Sequence, residues 1–216
     1  MNKTKIFIIL ILIILIILTL FFLIYYKTGK NGNNINKSTE DIVRNILNIS
    51  SYEAEMEVFV ESNKITNRYK IQQLYTKPNI IKQIVKEPSN IENLTITYDG
   101  KNMKIENTRL GLSKIYNEYE YISQNILWLS SFIDNYNKNS KVIETEEDIQ
   151  IENNSIFNNY NIKQVLYINK KTSLPIKLEI YDNNKNKKIY IKYNEIKLNS
   201  TKEDEIIAFK LKKENL

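Results

Sequence analysis

Hydrophobic and polar positions change period along the chain, and each change marks a different kind of element. From Ile6 to Tyr26 every position is apolar except Thr19. A helix in a soluble core keeps a polar stripe, whereas this run is apolar all round, and at ~1.5 Å per residue it spans ~31 Å, the thickness of a bilayer's hydrocarbon layer. Residues 27–37, KTGKNGNNINK, then carry two of the four glycines and no periodic apolar pattern, which predicts a flexible tether. Ser38-Thr39-Glu40-Asp41 opens a helix whose apolar positions Ile42, Val43, Ile46, Leu47 and Ile49 recur at helical spacing. Next the period falls to two. Tyr52, Ala54, Met56, Val58 and Val60 alternate with Glu53, Glu55, Glu57 and Glu61, the pattern of a strand with one wet face. Ile65 to Tyr75, Ile80 to Lys86, Leu94 to Tyr98 and Met103 to Asn107 continue as strands, with Asp99-Gly100 as a hairpin signal.

In the middle the period lengthens again. Ile115, Tyr119, Ile122, Ile126, Leu129, Ile133 and Tyr136 step by four and three, which predicts a helix with Trp128 and Phe132 widening its apolar stripe. Strand patterns then resume at Val142–Glu144, Ile149–Glu152, Ile162–Ile168, Ile176–Tyr181, Lys188–Leu198 and Ile206–Leu211. A long helix inserted in one antiparallel sheet makes the expected class α+β. The stripe residues Ile122, Ile126, Trp128, Leu129 and Ile133 are expected either to fill the sheet's concavity as core or to line an apolar cavity under the helix.

Composition sets the compartment and removes several chemistries. The apolar run lacks a small-residue cleavage site, since Tyr25-Tyr26-Lys27 stands where one would fall, so it reads as an uncleaved signal anchor. The expected organisation is a cytoplasmic amino terminus at 1–5, a transmembrane anchor from Ile6 to Tyr26, a tether at 27–37 and an extracytoplasmic domain at 38–216. The protein would thus be a single-pass cell-membrane protein. Net charge is +6, from 31 basic and 25 acidic residues. Setting Lys3, Lys5 and Lys27 aside leaves 28 against 25, a mixed surface that does not suit nucleic acid. With no cysteine and no histidine, disulfides, Cys/His zinc sites and Ser-His-Asp triads are excluded.

What remains are acidic turns. Glu144, Glu146, Glu147 and Asp148 cluster without the loop glycine or spacing of a calcium site. Asp182, Asn184 and Asn186 share the first spacings of an EF-hand loop, but Lys187 stands at the glycine position, so this stretch is expected to be a hairpin turn. No catalytic set, cofactor site or metal site is expected.

The carboxy-terminal third, with Leu174-Pro175 opening a strand, an Asp-led hairpin at Asp182 and a late Phe209, resembles the closing strands of the LolA/LolB-like lipoprotein-carrier fold. YTKP at 75–78, EPSN at 87–90, NTRLGLSKIY at 107–116 and NILWLSSFIDNY at 125–136 resemble the clostridial germination lipoprotein family related to GerS. Those lipoproteins carry a lipobox cysteine and this chain has none, so a transmembrane helix would stand in for the lipid. The resemblance implies a half-open antiparallel barrel with the inserted helix packed in its concavity. It further implies a noncatalytic protein of sporulation or germination that binds a peptidoglycan amidase of the spore cortex. A carrier or sensor of lipoprotein acyl chains or another apolar ligand is the alternative use of such a half-barrel. Edge strands of an open sheet also allow a homodimer by strand exchange.

Overall fold

The computed structural model describes residues 37–62, 64–119, 126–157 and 160–200. Alternation of apolar and polar residues builds eleven strands. The first six are β1 (Ser51–Glu61), β2 (Thr66–Thr76), β3 (Ile80–Glu87), β4 (Thr95–Asp99), β5 (Met103–Asn107) and β6 (Leu112–Tyr116). The second five are β7 (Lys141–Glu144), β8 (Asp148–Phe157), β9 (Tyr160–Asn169), β10 (Pro175–Tyr181) and β11 (Lys187–Leu198). They form one antiparallel sheet in the order β6-β5-β4-β3-β2-β1-β11-β10-β9-β8-β7. Each half is a meander of sequential hairpins, and the two halves are joined where β1 pairs β11, with Val58 opposite Ile191. At the Asp99-Gly100 turn, Gly100 takes φ +91° and the Asp99 carboxylate accepts from the amides of Lys101 and Asn102 at 3.0 and 2.7 Å. Among the described residues the sheet does not close, and β6 and β7 are its two edges.

The strands bury one face. On β1 the residues Tyr52, Ala54, Met56 and Val58 are buried while the glutamates between them face outward, as the alternation predicts. Ile71, Tyr75, Ile81, Ile149, Ile151, Leu166, Ile168, Leu178, Ile180 and Ile191 extend this face into one core. Helix α1 (Thr39–Leu47) adds Ile42, Val43 and Ile46 to it. Ile65, by contrast, lies just outside β2 and is exposed.

The long central helix expected between Ile115 and Tyr136 is not formed by the described part of that stretch. Residues Leu112–Tyr116 are strand β6, and helix α2 covers only Leu129–Asp134. The cause is local and non-periodic. The buried side chain of Asn107 accepts from the Leu110 amide at 3.1 Å, Gly111 takes φ +62°, and the chain doubles back so that Leu112–Tyr116 pairs β5 residue for residue. Once turned back, the backbone gains a ladder of hydrogen bonds that a helix there would leave unmade on β5. Ile115 therefore points into solvent, 58% exposed. Ile122 lies outside the described residues. The later half of the stripe keeps its inward role, with Trp128, Leu129 and Phe132 fully buried and Ile126, Ile133 and Tyr136 packed against the core.

Topology explains that burial. The connection leaves the sheet at one edge, β6, and must re-enter at the other, β7, so it crosses the concave face. Tyr98 of β4 donates to the Tyr119 carbonyl at 3.4 Å, Trp128 reaches Gln83 of β3, and Asn153 of β8 donates to the Phe132 carbonyl at 2.9 Å. Among the described residues no helix is long and apolar enough to cross a membrane. The expected anchor from Ile6 to Tyr26, and the strand at Ile206–Leu211 with Phe209, lie outside the described residues.

Because Trp128 plugs the middle of this crossing, Trp128→Ala should remove about 3 to 5 kcal/mol of stability. Thermal unfolding measures it, and an unchanged midpoint would show that the crossing is not part of the core.

Candidate functional site

The concave face is the place where an open sheet of this kind could hold a ligand, and its lining is unusual for an apolar one. Gln73 and Gln83 stand directly opposite each other on β2 and β3 and are buried. Tyr52 donates to Gln73 at 2.7 Å, Gln73 donates to Gln83 at 3.0 Å, and the Trp128 indole N–H donates to the same Gln83 oxygen at 3.0 Å. This relay ties β1, β2, β3 and the crossing segment together inside the core, where each such bond counts because its groups would otherwise be buried unpaired. Burial holds the Tyr52 phenol well above its ordinary pKa, and burial pushes that of Tyr193 up as well. Both phenols stay neutral at physiological pH, and Tyr52 serves the relay as a donor. Burial, with the charge of Asp134 second, raises Tyr75 to about 12. Further along the face, Asn153 Oδ1, Gln164 Nε2 and the Tyr193 hydroxyl are buried without a hydrogen-bond partner. A concavity closed by Trp128, Leu129 and Phe132 and laced with amides is poorly matched to an acyl chain, which requires a continuous apolar lining.

The convex face carries a second cluster. Glu179 of β10 is only 6% exposed and accepts from Tyr181 at 2.7 Å and Tyr167 at 2.9 Å. Lys177 and Lys187 lie 3.5 and 3.8 Å from its other oxygen, and Lys177 also stands 3.7 Å over the Tyr167 ring. Burial pushes the Glu179 carboxyl up, but the two hydroxyls and two ammonium groups outweigh it and hold the pKa below the usual carboxylate range. On the neighbouring strands Phe59 and Tyr190 pack ring to ring with centroids 5.7 Å apart, adding two aromatics, a residue type enriched at protein interfaces, to the charged cluster.

The two edges are the remaining features. On the β6 side Leu110, Leu112 and Ile115 are exposed. On the β7 side an open groove of about 460 Å³ lies between α1 and the edge, lined by Thr39, Val43 and Leu47 of α1 together with Tyr136 and Val142. These edges could not be located from sequence, because an edge is defined by the absence of a neighbour.

The acidic turns serve the backbone. Glu144 accepts from Lys170 and Thr39, in that order the causes of its lowered pKa, and Asp148 bonds Thr145. Asp182 Oδ1 accepts from the amides of Asn184 and Asn186 at 2.9 and 2.8 Å, as a hairpin turn requires, and the Asn186 amide leads the lowering of its pKa. Among the described residues no group of three or more acidic side chains is placed to hold a metal ion.

An antiparallel sheet with its cross-connection seated on one face, and with its edges and its other face exposed, defines an open-sheet fold. The profile described as "Sporulation protein YdcC-like" matches residues 3–207, and the chain belongs to that sporulation-protein family. No curated protein matches the chain. Similar solved structures include that of the CwlD amidase from Clostridioides difficile in complex with the GerS lipoprotein, 23% identical over 72% of this chain and 91% of that one, with a TM-score of 0.43. A LolA superfamily protein from Nitrosomonas europaea is 12% identical, covering 77% of this chain and 96% of that one, with a TM-score of 0.40. The Mycobacterium tuberculosis lipoprotein LppX is 10% identical, covering 76% and 98%, with a TM-score of 0.43.

The Glu179 cluster makes a pH-dependent contribution whose sign is set by its lowered folded-state pKa. The stabilisation is present above the unfolded carboxylate value and is lost as pH falls through the folded one. Glu179→Gln should therefore melt below the unaltered chain near neutral pH. The two melting points should converge as pH is lowered from roughly 6 to roughly 3.

Proposed function

We propose that this chain is a noncatalytic, membrane-tethered protein of sporulation or germination that binds a spore-cortex peptidoglycan amidase outside the cytoplasmic membrane and positions or activates it. Membership of the YdcC-like sporulation family supports the process. The partner class follows the motifs at 75–78, 87–90, 107–116 and 125–136 that resemble the GerS-related proteins, GerS being found in complex with the CwlD amidase. The observation that favours binding over carriage is the concave face, where Trp128, Leu129 and Phe132 are fully buried and the amides of Gln73 and Gln83 take the place of an apolar floor. The surfaces offered to a partner are the outer ones, namely the β6 edge, which could also pair with a second copy, and the Glu179 cluster. Anchor and tether would hold these surfaces in the space between membrane and wall, raising the effective concentration at the partner so that a modest interface suffices.

Purified chain mixed with cortex amidases should bind one of them and raise its hydrolysis of peptidoglycan. Neither binding nor stimulation, together with stoichiometric extraction of acyl lipid by the chain, would replace this reading with the carrier.

The anchored topology is tested separately. A reporter active only outside the cytoplasm, fused after residue 216, should be active, and one placed before residue 6 should not. An intact but inactive carboxy-terminal fusion would sink the orientation.

A further inference from the structure

The groove beside β7 opens near the point where the described chain ends after β11. Residues 201–216 lie outside the described residues and read TKEDEIIAFKLKKENL. Their starting point is known. Asn199 donates its amide to the Ser51 carbonyl at 2.8 Å, and its side chain accepts from the Ser50 amide at 2.8 Å, which holds the end of the described chain against Ser50, two residues after Asn48 on the groove wall. Residues 201–205 can reach up to ~17 Å when extended, whereas the nine-residue helix that forms the groove wall is only ~13 Å long. Reach is therefore not limiting.

Pattern and charge then agree with the groove in order. Ile207, Phe209 and Leu211 alternate with Ala208, Lys210 and Lys212, the sequence pattern of a strand with one apolar side and one wet side. Val142, the β7 residue that lines the groove, is 41% exposed, and among the described residues β7 has no neighbour beyond it. An added strand would cover that edge, which an unpaired ladder invites. Glu203, Asp204 and Glu205 precede the apolar run, and Lys210, Lys212 and Lys213 accompany and follow it. Along the groove Arg44 lies toward the end where the chain exits. Glu40, and Glu144, which Thr39 contacts, lie toward the far end. A segment laid from the exit end thus sets acid near Arg44 and base near Glu40 and Glu144.

We propose that Ile206–Leu211 docks in the groove between α1 and β7, with Ile207, Phe209 and Leu211 on Val43, Leu47, Tyr136 and Val142, and so covers the second edge of the sheet.

The chain has no cysteine, so introduced thiols report without background. In the full-length chain in detergent, Val142→Cys is combined with Phe209→Cys, and Ile115→Cys with Phe209→Cys serves as the control at the opposite edge. Both edge positions are exposed, so the fold tolerates the substitutions. Under mild oxidation the Val142 pair should form an intrachain disulfide at least tenfold faster than the control, with Ile207→Cys in place of Phe209→Cys behaving likewise. Equal rates at the two edges would overturn the proposal. So would a Val142 product that is only interchain, which would assign the groove to a second copy.

Discussion

The connection from β6 to β7 is the constraint on which the rest of the structure depends. Two meanders joined through β1 and β11 place those strands at opposite edges of an open sheet, and the described parts of the connection, 117–119 and 126–140, lie against its buried face. A backbone laid across a hydrophobic face has to satisfy its own polar groups and hide its side chains there. The sequence meets both demands in a few residues. Trp128, Leu129 and Phe132 supply bulk, Asn153 caps the Phe132 carbonyl, and Gln83 receives the Trp128 indole. Helix α2 is short because the crossing needs an anchored passage more than a helix.

That constraint bears on function through occupancy. A half-open sheet can serve as a cargo cup only while its concavity is available, and here the chain itself takes the space. The polar relay from Tyr52 to Trp128 adds specificity to the seal, since each amide has a defined partner that an apolar guest could not replace. What stays exposed are the edges and the back of the sheet. There the Glu179 cluster is pre-organised by ring, hydroxyl and ammonium contacts, so little side-chain freedom would be lost on binding.

Lys141 and Glu144 bracket the short β7, and charged ends discourage adventitious pairing there. Both edges expose apolar side chains, Leu110, Leu112 and Ile115 at β6 and Val142 and Ile143 at β7.

Much of the fold was legible in the sequence because alternation is a local property. The wet glutamates of β1, the Asp99-Gly100 and Asp182 turns, α1 and ten of the strands follow from period and turn chemistry within a few residues of each position. The inward role of Trp128 and Leu129 was legible too, since bulk in an apolar stripe predicts burial whichever element carries it. What sequence could not decide was where the long central stripe changes from strand to crossing to helix. Leu112–Tyr116 fits helix and strand periods equally over so short a stretch, and the choice was made by β5, whose unpaired edge lay within reach once Asn107 and Gly111 turned the chain. The Gln73–Gln83 relay, the buried Glu179 and the groove beside β7 were likewise invisible, because each is assembled from strands that become neighbours only in the folded sheet. Periodicity reports which way a side chain faces, and only tertiary pairing determines what it faces.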